Sequence, residues 1–312
     1  MKTTSIQHPA GISRLKLFLA LSRTPHGMLD LAAPGLSALL WAGGFPPAEI
    51  MVLGLITAFC GYTSVYALND VTDHRVDGEK SSRSRVSAVH QDLDSVFVEH
   101  PLARGMLTFR EGLFWAVAWA ALAAAGAYLL NPVCAFIFLL ACLLEFIYCR
   151  LLKVTWLRGI ISGLVKTSGP VAAVFAVDPV PNPSLIWVLF LWFFFWEIGG
   201  QNVPNDFADV EEDRRIGART IPVRFGLKGS SLIILGSLSL AVVVSLVFFL
   251  AFPGKMSLVF PAGALACGIY FLLAPAVRLC QQRSPQAAFA LFNRASYYPL
   301  AMVGVTVASW VF

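Results

Sequence analysis

The chain has 312 residues, 57% apolar and only 13% charged, with a formal net charge of +5 and a mean hydropathy of +0.72. A soluble domain carries about 25% charged residues, so the composition excludes an ordinary soluble enzyme. The apolar excess recurs in stretches of about 20 residues, the length of helix that crosses ~30 Å of hydrocarbon. Only helices and closed barrels satisfy the backbone in lipid, and unbroken apolar runs without alternation favour helices.

In chain order, transmembrane helices are predicted over about 15–42, 48–68, 111–130, 133–149, 157–177, 184–204, 229–252, 257–277 and 290–312. Pro and Gly punctuate the connections, as in Gly43-Gly44-Phe45-Pro46-Pro47, Asn131-Pro132, Pro179-Val180-Pro181-Asn182-Pro183 and Pro253-Gly254. The segment before the first span is polar and no small-residue cleavage site follows a short apolar core, so no cleavable signal peptide is expected. The six cysteines lie in or at the ends of apolar runs without CxxC spacing, and are read as small buried hydrophobes.

Lys and Arg set the expected orientation. Twenty of the 23 fall in the N-terminal segment and in the connections after spans 2, 4, 6 and 8; Lys255 alone lies in the opposite loops, and Arg23 and Lys166 lie within spans. This places the N-terminus and the large polar loops in the cytoplasm of a bacterial- or archaeal-type inner membrane, with the C-terminus outside. The positive charge then needs no nucleic-acid partner. The long connections 69–110 and 205–228 follow spans 2 and 6. The expectation is one domain over 1–312: two four-helix pseudo-repeats, about 15–149 and 157–277, plus a ninth helix, an arrangement that often puts the site at the repeat interface.

Each long connection opens on Asn-Asp. Asp70, Asp73 and Asp77 are spaced i, i+3, i+7, and so are Asp206, Asp209 and Asp213. If the helices of spans 2 and 6 continue through them, each trio lies on one face. Three like charges on one stripe need a cation. Carboxylate oxygens suit Mg²⁺ or Ca²⁺ rather than zinc, and Mg²⁺ favours sites shared with substrate phosphates. Two facing trios can hold two ions around one diphosphate. An EF-hand does not fit, because its glycine and final glutamate are misplaced.

The segment Asn69-Asp70-Val71-Thr72-Asp73-His74-Arg75-Val76-Asp77 resembles the NDxxDxxxD signature of the UbiA superfamily of intramembrane prenyltransferases. The second cluster, followed by Gly217-Ala218-Arg219-Thr220-Ile221-Pro222-Val223-Arg224-Phe225-Gly226, is similar to that family's second acidic segment. Tyr148-Cys149-Arg150-Leu151-Leu152-Lys153 resembles its tyrosine–lysine motif, His100-Pro101-Leu102-Ala103-Arg104-Gly105 its Arg-Pro-Leu-x-x-Gly element, and Arg23-Thr24-Pro25 its Arg-x-Pro. The likeness covers nearly the whole chain in span number and motif order. Two departures stand out: His100 replaces the usual arginine, and the stretch from Gly78 to Glu99 is about ten residues longer than usual and rich in Ser, Arg and Asp.

The resemblance implies an all-α, polytopic bundle of about nine helices with a cytoplasmic cap, and Mg²⁺-dependent transfer of an isoprenoid chain from a prenyl diphosphate to an acceptor. Asn69, Asp73 and Asp77, with Asp70 as ligand or support, would hold one ion; Asp209 and Asp213, with Asp206, the other. Asp73, Asp209, Lys153 and Tyr148 would be the catalytic set. Arg23, Arg150, Lys153 and Arg219 would grip the diphosphate. Departure of diphosphate leaves an allylic cation that needs electron-rich walls, for which the aromatic span 6 offers Trp192, Phe195 and Trp196; packing and lipid contact are the alternative for that stripe. Lys166, Glu145, Glu197 and Asp30 are intramembrane ionisable residues and so functional candidates, with a buried Lys–Glu pair that only locks helices together as the other possibility. His26 and His74 could serve as bases or be structural.

The reading is a prenyltransferase with an aromatic acceptor, as in quinone biosynthesis, its partners being a prenyl diphosphate, the acceptor and membrane lipid. A lipid acceptor such as a glycerol phosphate, or cyclisation without acceptor, is the alternative. A cation-coupled transporter is disfavoured because both acidic clusters lie at a membrane surface rather than at midplane.

Overall fold

Proline placement decides where the apolar stretches break. The structure, a computed structural model, describes residues 13–83, 98, 100–252 and 256–311, and its regular elements are all helical. The first predicted span is not one helix but three: α1 (Arg14–Leu21), α2 (Thr24–Asp30) and α3 (Ala32–Ala42). Pro25 has no N–H to donate to the Leu21 carbonyl and its ring crowds that oxygen, so a helix cannot run through. Arg23 takes a left-handed conformation at the break, with φ of 43°.

The second span is longer than expected. α4 runs Ala48–Arg83 and carries the whole first acidic cluster, so 69–83 is helix rather than loop. Most of the long stretch up to Glu99 lies outside the described residues. Next come α5 (Phe109–Leu130), opened by a Thr108–Glu111 capping box, α6 (Pro132–Arg150), capped by the Asn131 side chain, and α7 (Arg158–Val177). These match spans three to five within a few residues.

Span six divides into α8 (Pro183–Trp196), a π-helical stretch Glu197–Asn202, and α9 (Val203–Ala208), after which α10 covers Val210–Ile216. α11 (Ile221–Ala251) is kinked at left-handed Gly226, φ 69°. α12 (Val259–Cys267), a second π stretch (Gly268–Leu273) and α13 (Ala274–Gln282) follow, then α14 (Pro285–Ser296) and α15 (Tyr298–Val311). The last break falls just before Pro299, which cannot donate to the Ala295 carbonyl; Trp196 Nε1 donates to that oxygen instead, at 2.9 Å.

Among the described residues, seven helical stretches are long and apolar enough to cross a membrane. The first and ninth predicted spans are not among them, because each is interrupted. Outer faces expose Phe114, Tyr128, Leu129, Phe136 and Leu250, the kind of contiguous apolar surface that lipid covers. α4 packs along α5, α6 on α7, and α8 on α11, while α3 lies between α7 and α15. The largest buried cluster holds Trp192, Phe193, Phe207, Phe248 and Tyr298. A small cluster of Leu152, Ile216 and Ala218, with Val76 against it, ties the far end of α4 to α10 and to the turn after α6. That contact brings the two acidic segments to one end of the bundle.

Candidate active site

Because α4 is continuous, Asp70, Asp73 and Asp77 share one side of it, but their carboxylates part company. Asp70 and Asp77 converge on His100, whose Nδ1 lies 2.9 Å from Asp70 Oδ1 and 3.0 Å from Asp77 Oδ2. Burial of the imidazole favours its neutral form, yet hydrogen bonds and charge from both carboxylates overcome it and push the pKa up to about 10. An imidazole therefore stands where the two carboxylates converge. His100 is held in a left-handed conformation, φ 48°, with its carbonyl accepting from Arg104 N–H at 3.1 Å. Asp70 Oδ2 is buried without a hydrogen-bond partner. Hard carboxylate oxygens, one of them unengaged, fit Mg²⁺.

Asp73 turns inward instead, to a hydrogen bond with Cys149 and into the field of Glu145. Asn69 is not brought to Asp70 and Asp77: its Nδ2 donates to Glu145 Oε1 at 2.6 Å.

The second trio does not lie on one continuous helix. The chain leaves helical geometry at Asp209, φ −94° and ψ 8°, which ends α9 and opens α10. Asp206 and Asp213 are buried and Asp209 is half-buried. The π stretch inserts an extra residue ahead of the trio, and Gly217, left-handed at φ 73°, closes α10. Equal spacing in sequence therefore gives unequal geometry.

Between the clusters stands a residue that sequence reasoning counted only as a loop charge. Arg158, the first residue of α7, is 5% exposed. Its guanidinium lies 4.0 Å from the Tyr148 ring centroid, a cation–π contact, and it feels both Asp73 and Asp206. Its Nε and Nη1 are buried without partners. Tyr148 in turn accepts from Asn202 Nδ2 at 3.0 Å. The available signal was position: a basic residue opening a span, in the same connection as Tyr148 and Lys153.

The other predicted basic residues fare differently. Arg150 is exposed and lies over the Phe146 ring at 5.8 Å. Lys153 pairs with Glu79 at 2.8 Å, both about half-exposed. Arg219 is exposed and donates to the Val154 carbonyl at 3.1 Å. None of the three lines the cavity beneath the clusters, whereas Arg23 does.

That cavity encloses about 580 Å³, within the usual range for small-ligand sites. Asn69, Tyr148, Asn202 and Asn205 line its polar end, and Phe45, Ile50, Met51 and Leu55 its apolar end. The expected aromatic walls are not those of span 6. Trp192 and Trp196 are buried in the core, donating to Tyr298 Oη at 3.1 Å and to the Ala295 carbonyl, and Phe195 packs on Phe194. Their helix face turns to α11 and α14. Tyr62, Tyr66 and Phe138 supply the rings instead. Midway, Lys166 pairs with Asp30 and with the Tyr66 hydroxyl, a Lys–Asp rather than a Lys–Glu lock.

Residues 31–298 match the model of the UbiA prenyltransferase family. The chain belongs to this family. It is therefore a prenyltransferase, and the transporter alternative falls. The chain is 25% identical over 277 residues, 86% of its length and 84% of the relative's, to 4-hydroxybenzoate octaprenyltransferase of Saccharophagus degradans. It is 26% identical over 215 residues, 68% and 70% of the two lengths, to digeranylgeranylglyceryl phosphate synthase of Thermococcus kodakarensis. Among solved structures it is similar to the apo UbiA homolog of Aeropyrum pernix, with TM-score 0.74 at 17% identity over 91% of this chain and 98% of that one. The Archaeoglobus fulgidus homolog bound to GPP and Mg²⁺ gives 0.63 at 17% identity, covering 93% and 99%.

Proposed function

We propose that this prenyltransferase moves an isoprenoid chain from a prenyl diphosphate to an aromatic acceptor, using two Mg²⁺ ions held by Asp70, Asp73 and Asp77 on one side and Asp206, Asp209 and Asp213 on the other. The observation that carries the reading is Arg158, a buried guanidinium with unspent donors between Asp73 and Asp206, above an aromatic-walled cavity. The relatives' names and the bound GPP and Mg²⁺ of the Archaeoglobus neighbour agree with it.

When bound, Mg²⁺ neutralises diphosphate charge and so assists departure of the leaving group. Arg158 presents a planar fork to the diphosphate oxygens, and the Tyr148 face beneath it fixes that plane. Tyr62, Tyr66 and Phe138 offer ring faces to the allylic cation and keep water from it. The prenyl tail lies toward Leu55, Met51 and Ile50, gaining about 0.8 kcal/mol per buried CH₂. In this reading the broken first and last stretches complete nine crossings, the acidic clusters face the cytoplasm as the Lys and Arg bias directs, and each four-helix pseudo-repeat supplies one acidic cluster.

The test is diphosphate release from geranyl and longer prenyl diphosphates by purified protein, with Mg²⁺ or EDTA and with or without acceptors. Mg²⁺-dependent release with an aromatic acceptor is expected. No release under any condition would sink the reading. Release without acceptor would replace it with cyclisation, and release only with a glycerol phosphate would replace the aromatic acceptor with a lipid one.

A further inference from the structure

We infer that Glu197 accepts the hydroxyl proton of the acceptor, which enters the cavity hydroxyl first. This rests on the transferase reading above and adds the chemistry of the second substrate.

Glu197 lines the cavity and is 3% exposed. Ser162 Oγ donates to its Oε1 at 2.8 Å, while Oε2 is buried with no hydrogen-bond partner. A buried carboxylate oxygen without a donor is unusual and marks a place where something else donates. Lys166 does not fill that role, being engaged by Asp30 and the Tyr66 hydroxyl. The carboxylate is also firmly placed. It opens the π-helical stretch Glu197–Asn202, a distortion frequent at functional sites. A Cβ at Gly199 would stand 2.9 Å from the Ile234 carbonyl, and one at Gly200 2.9 Å from Ala295 Cβ, so the turn is seated tightly on α11 and α14.

Height along the bundle gives the role. Tyr62 feels both Asp30 and Glu197, and Tyr66 touches the Asp30–Lys166 pair. These groups lie at the level of Tyr62 and Tyr66 on α4, whereas Asn69 lines the polar end. Tyr66 and Tyr62 stand three and seven residues below Asn69, about 4.5 and about 10.5 Å along α4, which sets these groups one to two turns below the polar end. An acceptor whose hydroxyl reaches Glu197 extends from there toward the polar end and the first carbon of the prenyl chain. An anionic head group would be repelled by Glu197; a phenolic or alcoholic O–H supplies the missing donor. In the transfer step the C1–O bond of the prenyl diphosphate breaks and its electron pair leaves with diphosphate. A pair from the acceptor oxygen, or from the ring carbon conjugated with it, forms the new bond to C1. The hydroxyl proton passes to Glu197 Oε2.

The experiment uses the full chain with geranyl diphosphate, Mg²⁺ and three hydroxyl-bearing acceptors: 4-hydroxybenzoate, a dihydroxynaphthoate and a glycerol phosphate. 4-Methoxybenzoate is the matched control. Products are read by mass spectrometry and geranyl diphosphate binding by calorimetry. At least one hydroxyl-bearing acceptor should be prenylated and the methyl ether should not. Glu197→Gln should lower kcat at least 100-fold with geranyl diphosphate affinity within threefold of wild type, which also shows that it folds. It should lose the rise of rate with pH on the acid side, a limb set by Glu197 under Lys166, Asp30, Glu145 and Tyr62; Glu197→Asp should recover part of both. Activity of Glu197→Gln within threefold of wild type overturns the inference. So does a prenylated methyl ether, or binding of geranyl diphosphate with none of the three acceptors prenylated. Failure to bind geranyl diphosphate with Mg²⁺ brings down the transferase reading itself, and this inference with it.

Discussion

Arg150 and Arg158 flank the same turn, yet only one is placed to meet a diphosphate. Arg158 is buried over the Tyr148 ring with donors to spare, while Arg150 lies over Phe146 on the outer surface. Arg158→Lys should keep the charge but lose the planar fork and the stacked geometry, lowering kcat for diphosphate release about 100-fold, the scale of losing one preorganised electrostatic partner. Arg150→Ala should stay within about threefold, and a loss as deep as that of Arg158→Lys would restore Arg150 to the site. Asp73→Ala and Asp209→Ala should each abolish Mg²⁺-dependent turnover with unfolding temperatures close to wild type; near-normal activity in either would overturn the ligand assignment. The Lys153–Glu79 pair is solvent-exposed and worth about 0–1 kcal/mol of stability, so Lys153→Ala should leave the unfolding temperature almost unchanged.

At the scale of elements, proline and the π stretch account for most departures from the expected helices. Spans 1 and 9 were legible as apolar runs, but Pro25 and Pro299 divide them, because a proline inside a run removes a backbone donor wherever hydropathy is high. Those prolines were readable, and apolar length alone obscured them. The π stretch was not readable: it depends on Gly199 and Gly200 meeting α11 and α14, a contact between segments distant in sequence. Gly199→Ala should force a shift against the Ile234 carbonyl and destabilise by about 1–3 kcal/mol, seen as a lowered unfolding temperature in detergent. An unchanged temperature would mean that the turn is not so tightly seated.

For the molecule as a whole, the distribution of Lys and Arg yields a prediction that no single helix makes. In a background with all six cysteines replaced, Arg215→Cys should react with a membrane-impermeant maleimide only from the cytoplasmic side. Val180→Cys, in the exposed turn before α8, should react only from the other. The reverse pattern would put both acidic clusters on the wrong face. Geranyl diphosphate with Mg²⁺ should also raise stability by mass action, by about 2.7 kcal/mol at a hundred times its Kd, and chelation should remove that gain.

The sequence by itself determined that this is a helical membrane protein of the UbiA family with two acidic clusters, since apolar length, charge spacing and motif order are local properties that survive without coordinates. Only the tertiary structure decided which side chains face one another. It turned Trp192 and Trp196 into core, moved the aromatic lining to Tyr62, Tyr66 and Phe138, and drew Asp70 and Asp77 onto His100. It also buried Arg158 between Asp73 and Asp206 and left one oxygen of Glu197, a cavity-lining residue, buried without a hydrogen-bond partner. The reason is physical: which face of a helix is buried follows from the helices packed against it, and in a chain apolar on nearly every face, periodicity carries little record of that choice.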